Sequence, residues 1–166
     1  MNVDERLRAV LLDRRLMAVM IHLKRANVDY GKSIMKDTKI PLPDVISILD
    51  ELERRGGLVE RIDKPVLKNT YAKFKRKHEV RKHHVYYTLS RDGELILRRV
   101  ERELPPNLYA ELIVDDEELR SSWTKFINGT AGPSDVSRLE RAGLVINGSL
   151  SGVGVKVKDL LNSKAK

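Results

Sequence analysis

At 166 residues the chain has room for one domain of ordinary size, or one small domain with a smaller companion. Charged residues at 34% against 41% hydrophobic describe a globular chain with a heavily ionised surface, and the lack of cysteine excludes disulfides, thiol catalysis and zinc-thiolate sites. The net charge of +8 points to a polyanionic partner, nucleic acid before membrane.

The amino terminus mixes acids and bases through its apolar positions, unlike a signal peptide, and no stretch approaches the roughly 20 apolar residues that span a bilayer. A cytoplasmic protein without a membrane partner is expected. From Pro105 onward there are eight Lys/Arg against eight Asp/Glu, so the basic excess lies in residues 1–104.

Residues Asp4 to Arg25 predict one long helix, with Leu12, Leu16, Val19, Met20 and Leu23 at helical spacing and Leu7, Val10 and Leu11 extending the stripe backward. The early turns should pack on a second subunit, giving a homodimer, or fold back on the carboxy-terminal segment. Asn27 to Asp29 breaks the pattern, and Asp29 is placed to cap a short helix from Tyr30 to about Thr38. That helix turns Ile34 and Met35 inward and leaves Lys32, Lys36 and Lys39 outside. After a turn at Lys39 to Leu42, Pro43 suits the first turn of the next helix. Val45, Ile48, Leu49 and Leu52 make its core stripe, and Gly56 and Gly57 stop it.

Leu58 to Ile62 and Val85 to Leu89 alternate as strands, and Ser90 should cap a closing helix that returns Leu95, Ile96 and Val100 to the core. The fold class expected is mainly α with a small antiparallel β-hairpin, the plan of a winged helix-turn-helix. Between the strands, Asp63 to His83 would be a long basic wing carrying Lys64, Lys68, Lys73, Lys75, Arg76, Lys77, Arg81 and Lys82 against Asp63 and Glu79. Tyr71 and Phe74 could stack on nucleic acid or pin the loop to the domain. His78, Glu79, His83 and His84 lack the spacing of an established metal site, since adjacent His83 and His84 point to opposite faces of a strand. No metal or other cofactor is expected.

The run LDELERRGGLVER followed by YYTLSRDGELILRR resembles winged-helix transcription regulators of prokaryotes, the MarR and ArsR types, through Leu49, Leu52, Gly57, Leu58, Val59, Tyr87, Leu89, Ser90 and Gly93. KFKRKHEVRKHHVYYTLS is similar to an archaeal winged-helix family of unsettled function. The resemblance covers about residues 5 to 103 and implies duplex DNA as partner. Within it, Lys32, Lys36, Lys39, Ser47, Arg54, Lys68, Lys73, Lys75, Arg76, Lys77, Arg81 and Lys82 are the candidate DNA contacts. The recognition helix departs from such regulators because Asp44, Asp50 and Glu51 stand on its outward side, where carboxylates oppose phosphate and read guanine poorly. Either base contacts are few, coming from Ser47 and Arg54 with neighbours, or the wing and the second helix supply most of the binding.

The proline pair at 105–106 suggests a boundary, giving a winged-helix domain at 1–104 and a small domain at 105–166. Asn107 to Val114 is ambiguous, and Asp115 to Ile127 reads as an amphipathic helix with Leu119, Trp123 and Phe126 or Ile127 inward. LERAGLV at 139–145 repeats LERRGGLV at 52–59, and SLSGVGVKV at 149–157 repeats TLSRDGELI at 88–96. Residues 107–162 thus read as a degenerate second winged helix with almost no wing, its neutrality favouring packing or a protein partner. No phosphate-binding glycine motif, nucleophile elbow or paired carboxylates stand out, so a non-enzyme is expected. The alternative function is a winged-helix adaptor in transcription or replication machinery.

Overall fold

The computed structural model describes residues 4–54, 57–62 and 85–166. They belong to two compact units, residues 18–97 and residues 1–17 with 98–166. The first helix therefore groups with the carboxy-terminal residues, and the proline pair lies inside that unit. The described chain is mainly helical with small antiparallel sheets, and none of its helices is long and apolar enough to cross a membrane.

Where the apolar stripe predicts one helix there are two, α1 (Glu5–Leu12) and α2 (Arg14–Ala26). The break is Asp13, extended at φ −134° and ψ 101°. Its carboxylate accepts from the Arg15 N–H at 3.0 Å and from the Arg15 guanidinium at 3.0 and 2.8 Å, so a capped helix start replaces the continuous helix. Burial works against the ionised carboxyl, but these Arg15 bonds outweigh it and hold Asp13 below the usual carboxylate range.

In the unit of residues 18–97, β1 (Asp29–Tyr30) precedes α3 (Gly31–Thr38) and α4 (Leu42–Arg54). Then come β2 (Val59–Ile62), β3 (Tyr86–Leu89) and α5 (Arg91–Glu103), which runs on past the unit. The expected hairpin is present, with Val59 opposite Leu89 and Ile62 opposite Tyr86. A third strand was not foreseen: Asp29 and Tyr30, read as the start of a helix, pair instead with Tyr87 and Tyr86. The sheet order β1-β3-β2 beside the α3–α4 pair is compatible with a winged-helix fold. Lys39 ends α3 in the left-handed region at φ 63°, its N–H bonded to the Met35 carbonyl. Val45, Ile48, Leu49 and Leu52 are buried as the spacing requires. In α5 the stripe is Ile96, Leu97 and Val100, whereas Leu95, expected inside, is 51% exposed.

The other unit holds α1 and the start of α2, then α6 (Pro105–Asp115), α7 (Glu117–Ile127) and α8 (Pro133–Arg141). A short hairpin of β4 (Val145–Ile146) and β5 (Ser149–Leu150) leads to α9 (Gly152–Lys164). Pro105 and Pro106 sit in the first turn of α6, where a missing N–H costs nothing. The ambiguity of 107–114 has a physical reason: Leu108, Tyr109, Ala110, Leu112 and Ile113 are all buried, so α6 is central and lacks a polar face to give it periodicity. In α7, Leu119 and Trp123 are buried, while Ile127 is exposed.

Leu7, Val10 and Leu11 of α1, which belongs to this unit, are fully buried. Folding back on the carboxy-terminal segment, the alternative to a second subunit, accounts for the stripe, which no longer argues for a homodimer. The Tyr109 hydroxyl lies 2.9 Å from the Leu11 carbonyl and 2.8 Å from the Ala142 carbonyl, tying the ends of α1 and α8 to α6. Burial raises this phenol far above its ordinary range. Tyr109→Phe leaves both carbonyls without that donor and should destabilise the unit by about 1–2 kcal/mol. Trp123, the only tryptophan and a member of the same unit, reports this as a lower denaturant midpoint in its fluorescence.

The repeat seen in the sequence is carried through atom by atom. Leu58 N–H bonds the Leu52 carbonyl at 2.9 Å, as Leu144 N–H bonds Leu139 at 2.9 Å; Ser90 N–H bonds Leu58 at 3.0 Å, as Ser151 N–H bonds Leu144 at 2.9 Å. The Ser90 hydroxyl donates to the Gly57 carbonyl and accepts from Gly93 N–H at 3.0 Å. Ser151 does the same with Gly143 and with Gly154, also at 3.0 Å. The segment α8–β4–β5–α9 therefore repeats α4–β2–β3–α5, with its two strands joined by the Asn147–Gly148 turn.

Candidate nucleic-acid interface

The candidate contacts on α3 derive their position from the helix itself. Lys32 and Lys36 are four residues apart, hence on one face, and Ile34 anchors the opposite face in the core. Lys39 follows at the left-handed cap, and all three lysines are exposed. The start of α3 is held from below: Asp29, 3% exposed, accepts from the Ser33 hydroxyl at 2.8 Å and the Tyr30 N–H at 2.9 Å, and lies 2.7 Å from His22 Nε2. His22 Nδ1 is 3.7 Å from Asp37. Among the described residues, His22, Asp29 and Asp37 are a group of metal-ligand type, each with one ligand atom within 4.8 Å of the others. The hydrogen bonds on Asp29 satisfy it as a structural network that fixes α2, β1 and α3 together. Nothing in the spacing of these residues marks them as partners, because the strand carrying Asp29 was itself not legible.

On α4 the outward residues are less favourable to DNA. Ser47 is exposed, and so is Ile46 at 57%. Arg54, expected to contact bases, reaches back one turn to Asp50 at 2.8 Å. Glu53 binds the Arg61 guanidinium at 3.0 Å, and Arg61 stands 5.9 Å from the centre of the Tyr87 ring. Burial raises the Tyr87 phenol above its ordinary value, against the opposing pull of the Arg61 charge. The arginines beside α4 thus spend charge on its own carboxylates, in line with the poor base-reading chemistry of this helix.

Lys68, Lys73, Lys75, Arg76, Lys77, Arg81 and Lys82 lie outside the described residues, as do Lys64, Tyr71, Phe74, His78, Glu79, His83 and His84. Their contribution rests on sequence. Residues 63–84 hold eight Lys/Arg against two Asp/Glu, and the two strands on either side are paired with Ile62 opposite Tyr86. A family model described as an uncharacterized protein conserved in archaea (DUF2250) matches residues 7–100. No curated protein and no solved structure matches the chain.

Proposed function

The chain belongs to that archaeal family, and on this premise we propose that it is a DNA-binding transcriptional regulator that grips duplex backbone through the basic segment between β2 and β3. The observation that carries this reading is the coincidence of charge and topology. The chain's net charge is +8, and the segment with eight cations against two anions is inserted between the two strands of a winged-helix-like hairpin, where a wing belongs. The exposed Lys32, Lys36 and Lys39 extend the positive surface on α3. The resemblance to MarR and ArsR regulators supports the same assignment, while catalysis finds no support in the motifs.

Selection from random duplexes, followed by binding titrations at several salt concentrations, tests the proposal. Six engaged phosphates predict that log K falls by about 5 per decade of salt. Binding that is indifferent to salt would reject the basic segment as a backbone clamp.

A second reading, an adaptor in transcription or replication machinery, is favoured by one observation. Ile46 stands 57% exposed on α4 among Asp50 and Glu51, a surface better suited to a protein than to phosphate. A selection without enrichment, together with a stable protein partner lost in Ile46→Asp, would favour it.

A further inference from the structure

The neutrality of residues 105–166 conceals an exchange of charge that the repeat makes visible. With Leu139 equivalent to Leu52, fixed by the matching bonds from Leu144 and Leu58, the positions of α4 and α8 correspond one to one. Their accessibility agrees at the positions that set the register: Ile48 and Leu52 are buried, as are Asp135 and Leu139, and Ser47 and Arg54 are exposed, as are Ser134 and Arg141, whereas Leu49 is buried and Val136 only partly so. Over the residues that α8 matches, the outward set of α4 is Ser47, Asp50, Glu51 and Arg54; Asp44 corresponds to Ala131, ahead of α8. On α8 the same places hold Ser134, Ser137, Arg138 and Arg141. Both carboxylates are replaced, one by a hydroxyl and one by a guanidinium.

From this exchange, and resting on the DNA-binding reading above, we propose that α8 is a second DNA-contacting helix, the one that reads bases in this protein. Its chemistry is that of major-groove recognition, arginine for guanine and serine for either base or phosphate. The loss of the carboxylate at position 137 removes from Arg141 the intrahelical partner that holds Arg54 at 2.8 Å. Arg138 is oriented by Nη1, which donates to the buried Ser122 hydroxyl at 2.7 Å and lies 4.0 Å from the Asp135 carboxylate one turn back, while Nη2 pairs at 3.3 Å with Glu118, which is 79% exposed and weakly held. These four residues line a surface cavity of about 330 Å³ together with Asp116, Glu118 and Leu12. The two acids at this cavity are already compensated, Asp116 by the Leu119 N–H at 2.8 Å and by Arg8 at 4.0 Å, and Glu118 by Arg138. The reduced turn at Asn147–Gly148 suits this division of labour, since the long basic segment of the other copy supplies the backbone grip.

The test uses the full chain and a duplex enriched by random selection. Ser137→Ala with Arg141→Ala should bind the enriched duplex about tenfold to a hundredfold more weakly and an unrelated duplex nearly as well as the parent chain. Asp50→Ala with Glu51→Ala should leave the preference between the two duplexes unchanged. Unaltered Trp123 fluorescence unfolding shows that the α8 variant is folded. Equal binding of the enriched duplex by variant and parent overturns the α8 assignment and leaves the regulator reading standing, as does a loss of preference that follows the α4 substitutions instead. A parent chain that binds no duplex overturns both.

Discussion

Gly154→Ala is expected to destabilise the unit containing α9 by about 3 kcal/mol or more, and Gly93→Ala to do the same to the unit containing β2 and β3. A Cβ at Gly93 would stand 2.2 Å from the Leu58 carbonyl oxygen, and one at Gly154 would stand 2.2 Å from that of Leu144. Neither obstacle is a side chain that can rotate away. Each carbonyl is the acceptor for the N–H of the serine that caps the following helix, so moving the helix to make room breaks that bond and the serine bonds to Gly57 or Gly143 with it. The helix start and the strand start are locked at a separation only glycine permits. Gly152 is the control: it opens the same α9 and a Cβ there meets nothing within 4 Å, so Gly152→Ala should be neutral or slightly stabilising. Trp123 fluorescence in denaturant reads both α9 variants, and loss of helix by circular dichroism reads Gly93→Ala. If Gly154→Ala and Gly152→Ala unfold at the same midpoint, the close approach does not constrain the fold.

This locking motif explains why so much of the architecture is legible in the sequence. Ser-x-x-Gly after a strand recurs in both copies, and Gly-Leu-Val before one follows its leucine after four residues in the first copy and three in the second; both state backbone requirements directly and carry matching hydrogen bonds. Elements defined by tertiary pairing are harder to read. The two residues of β1 have too little length to show alternation, and their strand exists because Tyr86 and Tyr87 offer an edge. The break at Asp13 interrupts no apolar spacing, so periodicity runs straight across it; the local signal is an aspartate two residues before an arginine it can hold. Leu95 and Leu97 are two residues apart on α5 and equally apolar, and only packing decides that Leu97 is buried and Leu95 exposed. For the candidate interface, the lysines on α3 and the acids on α4 follow from helical spacing. The character of α8 does not, because net charge averages Arg138 and Arg141 against acids elsewhere in the unit, and alignment of the two copies by their hydrogen bonds is needed to separate them.

Neutralising Lys75, Arg76 and Lys77 together should weaken duplex binding about a hundredfold near physiological salt and flatten the slope of log K against log salt by nearly three. The magnitude follows from counterion release. Each phosphate contact contributes about 0.9 log units per decade of salt, and 0.15 M lies roughly 0.8 decade below the molar reference. Because phosphate is the same at every base pair, enriched and unrelated duplexes should lose affinity alike, unlike the sequence-dependent loss expected of the α8 variant. Net charge alone could mimic part of the effect by slowing encounter. Removing the same three charges from the exposed Lys156, Lys158 and Lys164 on α9 isolates that contribution. A much smaller loss from the α9 triple assigns the remainder to contacts made by the basic segment. Equal losses and equal slopes from the two triples would reduce that segment to general attraction, and the grip on backbone would have to come from Lys32, Lys36 and Lys39 on α3.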